Sequence, residues 1–581
     1  MIDTSRAAMA SALGSARSER SGLVVDVDRE TARAVLFSLV EGRTRFVSSV
    51  SLPSTALPPI DDASVGAKQA VRAIEEHTGV ELLGADGIEI PSSNDIGVDV
   101  FAVTGIPGAP VRVSIVSVGA TPLESVLVAA GRRTLSEVDI LTDRVRTGDG
   151  ALSGSLLEAA IRGFMPDALV LAQGAAKEAE WKAAVGTLSG LVADDVVSII
   201  IVVAGAEHQQ QAAQMIGESA DLRGIDPAEF SPVDIAAALE AELQSLFEKG
   251  ARALNLVPAT VPPAFVSRAR AGDLVTRFVA RRLDETIVAV DVSDGTMFHW
   301  ATPSISDVIV RLDVDVTRNV RSALDIDPAR ITRWLPMTVS NEDLSHWVLN
   351  RALRPRTRAD APHDMAIERA ILVELLRTVW QESSGTPGEQ IDLLIAGRPF
   401  SRMESPGLAA LSLLDIFDPD PASGLVEMVL DVDGLLFAAG AVGEASPAIA
   451  ADIVENDLLA RFATAVIVKG GGNEGEIVVR GQARYAGGET ERIAVPAGSV
   501  HLVKLNPRKT ATISLVCEGD ATIGGRSELM DLVVGGDDNV DAGEFGLLVD
   551  ARGRPAPPSG DAATRSARVA TWLADLGFRI S

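Results

Sequence analysis

The sequence predicts a layered α/β protein that ends in a β-rich unit, and three observations predict it. Val-, Ile- and Leu-rich runs alternate with amphipathic, Ala-rich stretches through most of the chain, the pattern of strands buried between helices. After about residue 460 the alternation gives way to short Val-rich runs separated by Gly, Asn and Pro, the pattern of hairpin-connected strands. One element occurs twice, opening each half of the chain: a buried strand ending in Asp, a tight turn and a returning strand.

In chain order, buried strands are expected at residues 23–27, 111–118, 168–172, 198–203, 286–292, 307–312 and 392–396, each a short run of β-branched and Leu residues. Helices are expected at 65–77, 152–163, 177–191, 209–217, 232–253, 263–282, 365–382 and 406–416. Proline-rich breaks fall at 53–59, 354–363 and 555–560. The β-rich end is expected to place strands at 465–469, 476–480, 492–495, 500–505 and 510–516, with a capping helix at 562–576.

The repeated element reads Leu23-Val24-Val25-Asp26-Val27-Asp28, then a returning strand over 31–40 and a turn at Glu41-Gly42. Its second copy reads Thr286-Ile287-Val288-Ala289-Val290-Asp291-Val292-Ser293-Asp294-Gly295-Thr296, then a returning strand over 297–301 and a turn at Thr302-Pro303-Ser304. An ordinary hairpin explains one such element; two equivalent ones, one per half, call for a shared reason.

Composition bounds the partners. The chain has 581 residues, 47% hydrophobic and 23% charged, the profile of a folded globular protein. Its net charge of −28 opposes nucleic acid or an anionic membrane as the main partner. Cys517 is the single cysteine, so no disulfide or cysteine-based metal site forms within one chain. Residues 1–21 lack the apolar stretch of a signal peptide, and the longest apolar run, 196–206, is too short to span a bilayer. A cytoplasmic location is expected.

A strand-end Asp followed by a Gly- and Thr-rich turn resembles the phosphate loops of the actin-like ATPase superfamily. There the carboxylate anchors a metal ion, and glycines let backbone N–H groups reach phosphate oxygens. The wider chain resembles one branch, the MutL/GlmL proteins that accompany glutamate mutase. The resemblance rests on Ile391-Asp392-Leu393-Leu394-Ile395-Ala396-Gly397, on the stretch from Ser405-Pro406-Gly407 to Asp415, and on Gly434 to Ala441. Further pieces are Leu169 to Gly174 with Ile200 to Gly205, Val257 to Pro262, and Phe545 to Pro555. It implies a flexible tail over 1–21, two actin-like (ribonuclease-H-like) ATPase-type domains over 22–283 and 284–460, and a β-rich C-terminal domain with a terminal helix over 461–581.

The resemblance also implies a nucleotide cleft built from Asp26, Asp28, Arg29, Thr31, Asp291, Ser293, Asp294, Gly295, Thr296, Gly174, Gly397 and Arg398. Asp26 and Asp291 would hold the metal if Mg-ATP binds. The loops depart from the family pattern. Asp28 replaces the first-loop glycine, Arg29 and Glu30 replace its hydroxyl pair, and Ser293 and Asp294 replace the second-loop glycines. A carboxylate about 4 Å from a phosphate charge costs on the order of 4 kcal/mol at an effective dielectric of about 20. Pro399 removes a donor from the adenosine turn. Arg29 is expected to pair locally, and the arginines of 351–358 to sit on a solvated loop.

These substitutions point to nucleotide chemistry weakened or lost, and the resemblance implies an accessory or scaffold protein that works through a protein partner, a cobalamin-dependent mutase. The alternative is an active ATP-dependent assembly or reactivation chaperone for such a mutase. A small-metabolite kinase is a third reading, for which no catalytic base is evident. The histidines show no metal-ligand spacing, no GxSxG or Walker A motif occurs, and His299 is expected to pack. The glycine run at 470–472 reads as a flexible hairpin and that at 535–536 as an exposed turn.

Overall fold

The computed structural model describes residues 21–92, 96–105, 110–148, 150–251, 256, 264–355, 357–382, 390–420, 422–504, 510–534, 545–554 and 560–579. The expected tail, the Val257 to Pro262 piece and the 535–536 turn lie outside them, apart from Ser21. Packing separates Ile106–Asn255 from the rest of the chain, a division inside the span read as one domain over 22–283.

In the larger unit, the Val-rich strand Ser21–Val27 pairs antiparallel with Thr31–Val40, in register from Ser21 opposite Ser38 to Val27 opposite Ala32. Glu41 and Gly42, with φ of 51° and 87°, turn the chain into the third strand, Arg43–Pro53. Val100–Gly105 lies parallel on the other side of the first strand, and Ala264–Ser267 parallel beyond it. Numbered along the chain, these strands stand 3-2-1-4-5, with only the second reversed. The arrangement recurs with Ser306–Arg311, Thr296–Ala301, Ile287–Val292, Leu393–Ala396 and Leu425–Leu430. Two copies of this ribonuclease-H-like sheet constitute the actin-like ATPase fold, and both expected hairpins form its first two strands.

One core joins the two sheets. Val24, Val35 and Ala102 from the first and Ile287, Ala289 and Ile395 from the second pack around helices Arg268–Leu283 and Leu435–Gly443. The second helix is apolar on nearly every side (LLFAAGAVG), as a helix enclosed by protein must be. The two helices approach closely at Gly440, where a Cβ would lie 2.0 Å from the Ala271 carbonyl oxygen.

The C-terminal strands continue the second sheet. Arg461–Lys469 pairs antiparallel with Leu425–Leu430, followed by Gly546–Asp550 and Val500–Val503. A four-stranded sheet of Thr490–Pro496, Ile477–Tyr485, Ala511–Cys517 and Glu528–Val534 shares a core with these strands. The closing helix Ala562–Asp575 buries Val569, Trp572 and Leu573. Buried Arg552 bridges Asp550 and Asp415, tying the added strands to the helix Pro406–Phe417.

The smaller unit, Ile106–Asn255, holds five parallel strands in the order Asp221–Ile225, Ile199–Val203, Ala168–Gln173, Val111–Val118, Ser136–Ile140. This is the 2-1-3-4-5 order of doubly wound flavodoxin-like sheets. It has its own core, which includes Val116, Leu171, Trp181 and Val202. The unit enters the chain between the fourth and fifth strands of the first ribonuclease-H-like sheet.

One expected helix begins differently. The stretch read as helical over 263–282 opens as the strand Ala264–Ser267 and turns helical only at Arg268. Phe265 and Val266 complete the sheet edge, and the Ser267 hydroxyl then caps the helix by accepting from the Arg270 N–H. Among the described residues, no helix is long and apolar enough to cross a membrane.

Candidate functional site

The two hairpin turns meet in the larger unit. Strand alternation puts Asp26 and Asp28, two residues apart, on one side of the first hairpin. Both are buried, as are Asp291 and Asp294 of the second. Four carboxylates at this depth require compensating donors.

Arg268 supplies the largest share. It is the first residue of its helix and is 0% exposed. Its Nε donates to Asp26 Oδ1 at 2.9 Å, Nη2 to Asp28 Oδ2 at 2.8 Å and Nη1 to Ser293 Oγ at 2.6 Å. One guanidinium thus joins both hairpins. It also lies 5.5 Å from the centroid of the Phe437 ring, a cation–π contact.

Asp28 is the hub. Its Oδ1 accepts the backbone N–H groups of Glu30 at 2.8 Å and Thr31 at 2.6 Å. Its Oδ2 accepts from the Thr31 hydroxyl at 3.0 Å, from Arg268 and from Arg398 Nη2 at 2.9 Å. Loop amides, a hydroxyl and two guanidinium groups thus converge on one carboxylate. Burial alone would raise its pKa, but Arg398 and Arg268 hold it well below the ordinary carboxylate range. Burial likewise opposes the charge on Arg268, and Asp26, Asp28 and Asp291 hold its pKa above the ordinary value.

The second hairpin is tied in the same way. Asp291 accepts from the Ser293 hydroxyl at 2.5 Å and from the Arg398 backbone N–H at 2.9 Å. The latter contact needs Gly397, since a Cβ there would lie 2.4 Å from Asp291 Oδ2. Asp294 accepts from the Arg29 backbone at 3.3 Å and side chain at 2.9 Å. Arg29 therefore pairs across the hairpins, 265 residues away, rather than locally. Burial, reinforced by Asp28, raises the Asp294 pKa against the pull of Arg29.

The remaining expected residues divide. Thr296 is buried and donates its hydroxyl to the Val314 carbonyl at 2.7 Å. Gly295 serves the turn at φ 96°. Gly174 belongs to the smaller unit, where a Cβ would meet the Gly119 carbonyl oxygen at 2.4 Å. His299 packs beneath the helix Arg268–Leu283, its Nε2 3.1 Å from the Ala269 carbonyl oxygen. Arg268, the central cation, is absent from the sequence expectation; nothing local marks it, because its carboxylate partners lie 242 and 240 residues away.

Asp26, Asp28, Asp291 and Asp294 are each engaged by guanidinium, hydroxyl or backbone donors, so these side chains as placed do not fit a metal–phosphate complex. Among the described residues, no group of three or more His, Cys, Asp or Glu side chains is arranged to hold a metal. Beside the cluster lies a cavity of about 470 Å³, with Thr31, Ser293 and Arg398 in its lining. Arg351 and Arg358, expected on a solvated loop, form part of its wall.

No protein-family model matches the sequence, and no curated protein matches it. Similar solved structures include a carbohydrate kinase from Novosphingobium aromaticivorans, at 14% identity over 74% of this chain and 94% of that one, TM-score 0.27. A xylulose kinase from Bifidobacterium adolescentis follows at 10% identity over 74% and 93%, TM-score 0.24. The type II variant of the Aquifex aeolicus Ppx/GppA phosphatase shows 8% identity over 66% and 68%, TM-score 0.20. At these scores the fold rests on the duplicated strand order itself.

Proposed function

We propose that this chain is an accessory or scaffold protein on an actin-like ATPase-type fold, one that acts by binding a protein partner rather than by turning over ATP. The observation that carries the reading is the Asp28 carboxylate, which accepts from two loop N–H groups, the Thr31 hydroxyl, Arg268 and Arg398. A phosphate oxygen would need that set of donors. An internal anion at this position satisfies them without a ligand, and Arg268 supplies between Asp26 and Asp28 the positive charge that a metal would bring.

The resemblance to MutL/GlmL proteins suggests the partner class, an adenosylcobalamin-dependent mutase. An acidic protein of net charge −28 favours a partner with a basic face. An active ATP-dependent chaperone is the competing reading, and it requires Arg268 and Arg398 to leave Asp26 and Asp28 when nucleotide enters.

Two measurements separate the readings. Calorimetric titration with Mg-ATP is expected to show no saturation below about 1 mM, whereas a micromolar dissociation constant or ATP turnover supports the chaperone. Affinity capture from the native host is expected to recover a cobalamin-dependent mutase. Recovery of none removes the mutase from the proposal.

A further inference from the structure

The cavity beside the hairpins is lined by five arginines (351, 358, 369, 398 and 402) against three glutamates (30, 368 and 404). The lining itself thus carries two more positive than negative side chains, in a chain of net charge −28. Most of these charges have internal partners. Arg351 meets Glu368 at 3.1 Å, Arg369 meets Asp415, Arg398 meets Asp28 at 2.9 Å and Glu30 meets Arg318 at 3.4 Å.

Arg358 and Arg402 differ. Both are exposed, and neither makes a hydrogen bond or ion pair among the described residues. Partial desolvation, then the fields of Arg398, Arg33 and Arg358, push the Arg402 guanidinium below its ordinary pKa. Crowded cations repel one another, a cost that Glu404 offsets in part and that a bound anion relieves further. Part of the lining is apolar: Met365, Leu372, Met403 and Leu408 border the cavity and pack on the core behind. The volume, about 470 Å³, is that of a small-molecule site.

We propose that this cavity binds a small organic anion, an apolar body bearing one phosphate or carboxylate group, with Arg358 and Arg402 holding the acidic group and the Met365–Leu408 wall covering the body. The proposal deepens the reading above and rests on it: with Asp28 occupying the phosphate donors, the ligand is not a metal–nucleotide complex. Guanidinium groups suit either acid because their fork matches both geometries.

The test is calorimetric titration of the full-length chain with phenyl phosphate, benzoate and benzyl alcohol. Phenyl phosphate or benzoate is expected to saturate at or below about 1 mM and benzyl alcohol not to; which acid binds more tightly assigns the headgroup. The Arg358→Ala/Arg402→Ala variant is expected to lose affinity about tenfold or more with an unchanged melting temperature, since neither side chain has an internal partner. Glu404→Gln, which removes an opposing charge, is expected to tighten binding. Absence of binding by both acids, equal binding of benzyl alcohol, or wild-type affinity in the double variant overturns the proposal. Micromolar Mg-ATP binding by a chain whose phenyl phosphate affinity still depends on Arg358 and Arg402 overturns the nucleotide-free reading and leaves the anion site standing.

Discussion

At the scale of single residues, the site is a problem of buried charge. Replacing Asp28 by glycine restores the residue type that the resemblance calls for and leaves Arg268 and Arg398 short of a counter-charge. Breaking a buried pair from one side costs about 3–5 kcal/mol, so Asp28→Gly is expected to lose stability of that order in urea unfolding. Millimolar pyrophosphate is expected to recover part of the loss in the variant and to leave the wild type unchanged, because a bound anion stabilises the folded state by linkage. A second residue gives a pH signature. Burial, then the nearby Glu427 and Asp392 carboxylates, push Glu285 up from 4.5 to about 7, and its Oε2 is buried without a hydrogen-bond partner. A carboxyl raised in the folded state holds its proton more tightly there than in the unfolded chain. Its stabilising contribution is therefore full below about pH 4.5 and lost as pH rises through about 7. Glu285→Gln is expected to melt above the wild type at pH 8 and level with it at pH 5. The difference should be about 1 kcal/mol, because the group is half-buried and partly screened by solvent.

At the scale of elements, close backbone contact decides which substitutions the fold tolerates. Gly440→Ala drives a Cβ to 2.0 Å from the Ala271 carbonyl oxygen and is expected to cost about 1–3 kcal/mol as the two central helices separate. Gly190→Ala, in the helix Glu178–Ala193 with no atom within 4 Å of the new Cβ, is expected to gain about 0.5–1 kcal/mol in the same urea titration. Elements were also what the sequence made legible. Both strand–Asp–turn–strand hairpins follow from short, continuously apolar runs and turn chemistry, and Asp26 and Asp291 stand at the expected strand ends. Contacts between distant elements were not legible. Arg268 was hidden inside a stretch that reads as helix, and its role depends on the strand Ala264–Ser267 delivering it to a first hairpin 242 residues away as well as to the second, 25 residues away. Arg29 was expected to pair locally and instead reaches Asp294 in the other half. Arg351 read as solvated for the same reason: it lies in the helix Asn341–Leu353 and pairs with Glu368 of the helix Pro362–Glu382, whereas Arg358 is exposed on a loop as expected.

At the scale of the whole molecule, two architectures share one chain. The duplicated ribonuclease-H-like sheets and their C-terminal extension form one packing unit, and the five-stranded parallel sheet of Ile106–Asn255 forms another with a separate core. Nothing in composition marks the boundary, because both units are built of Val-rich strands and Ala-rich helices. A segment with its own core is expected to fold alone. Residues 106–255 expressed separately should unfold in one cooperative transition, and a gradual loss of signal would contradict the division. In the larger unit the two hairpins are held together by Arg268, Arg398 and Arg29 acting on four aspartates, and we propose that this internal network stands in for nucleotide. Calorimetric titration of the full-length wild type with Mg-ATP tests it most directly. The network predicts no saturable heat below about 1 mM; a micromolar dissociation constant, abolished by Asp26→Ala or Asp291→Ala, would contradict it.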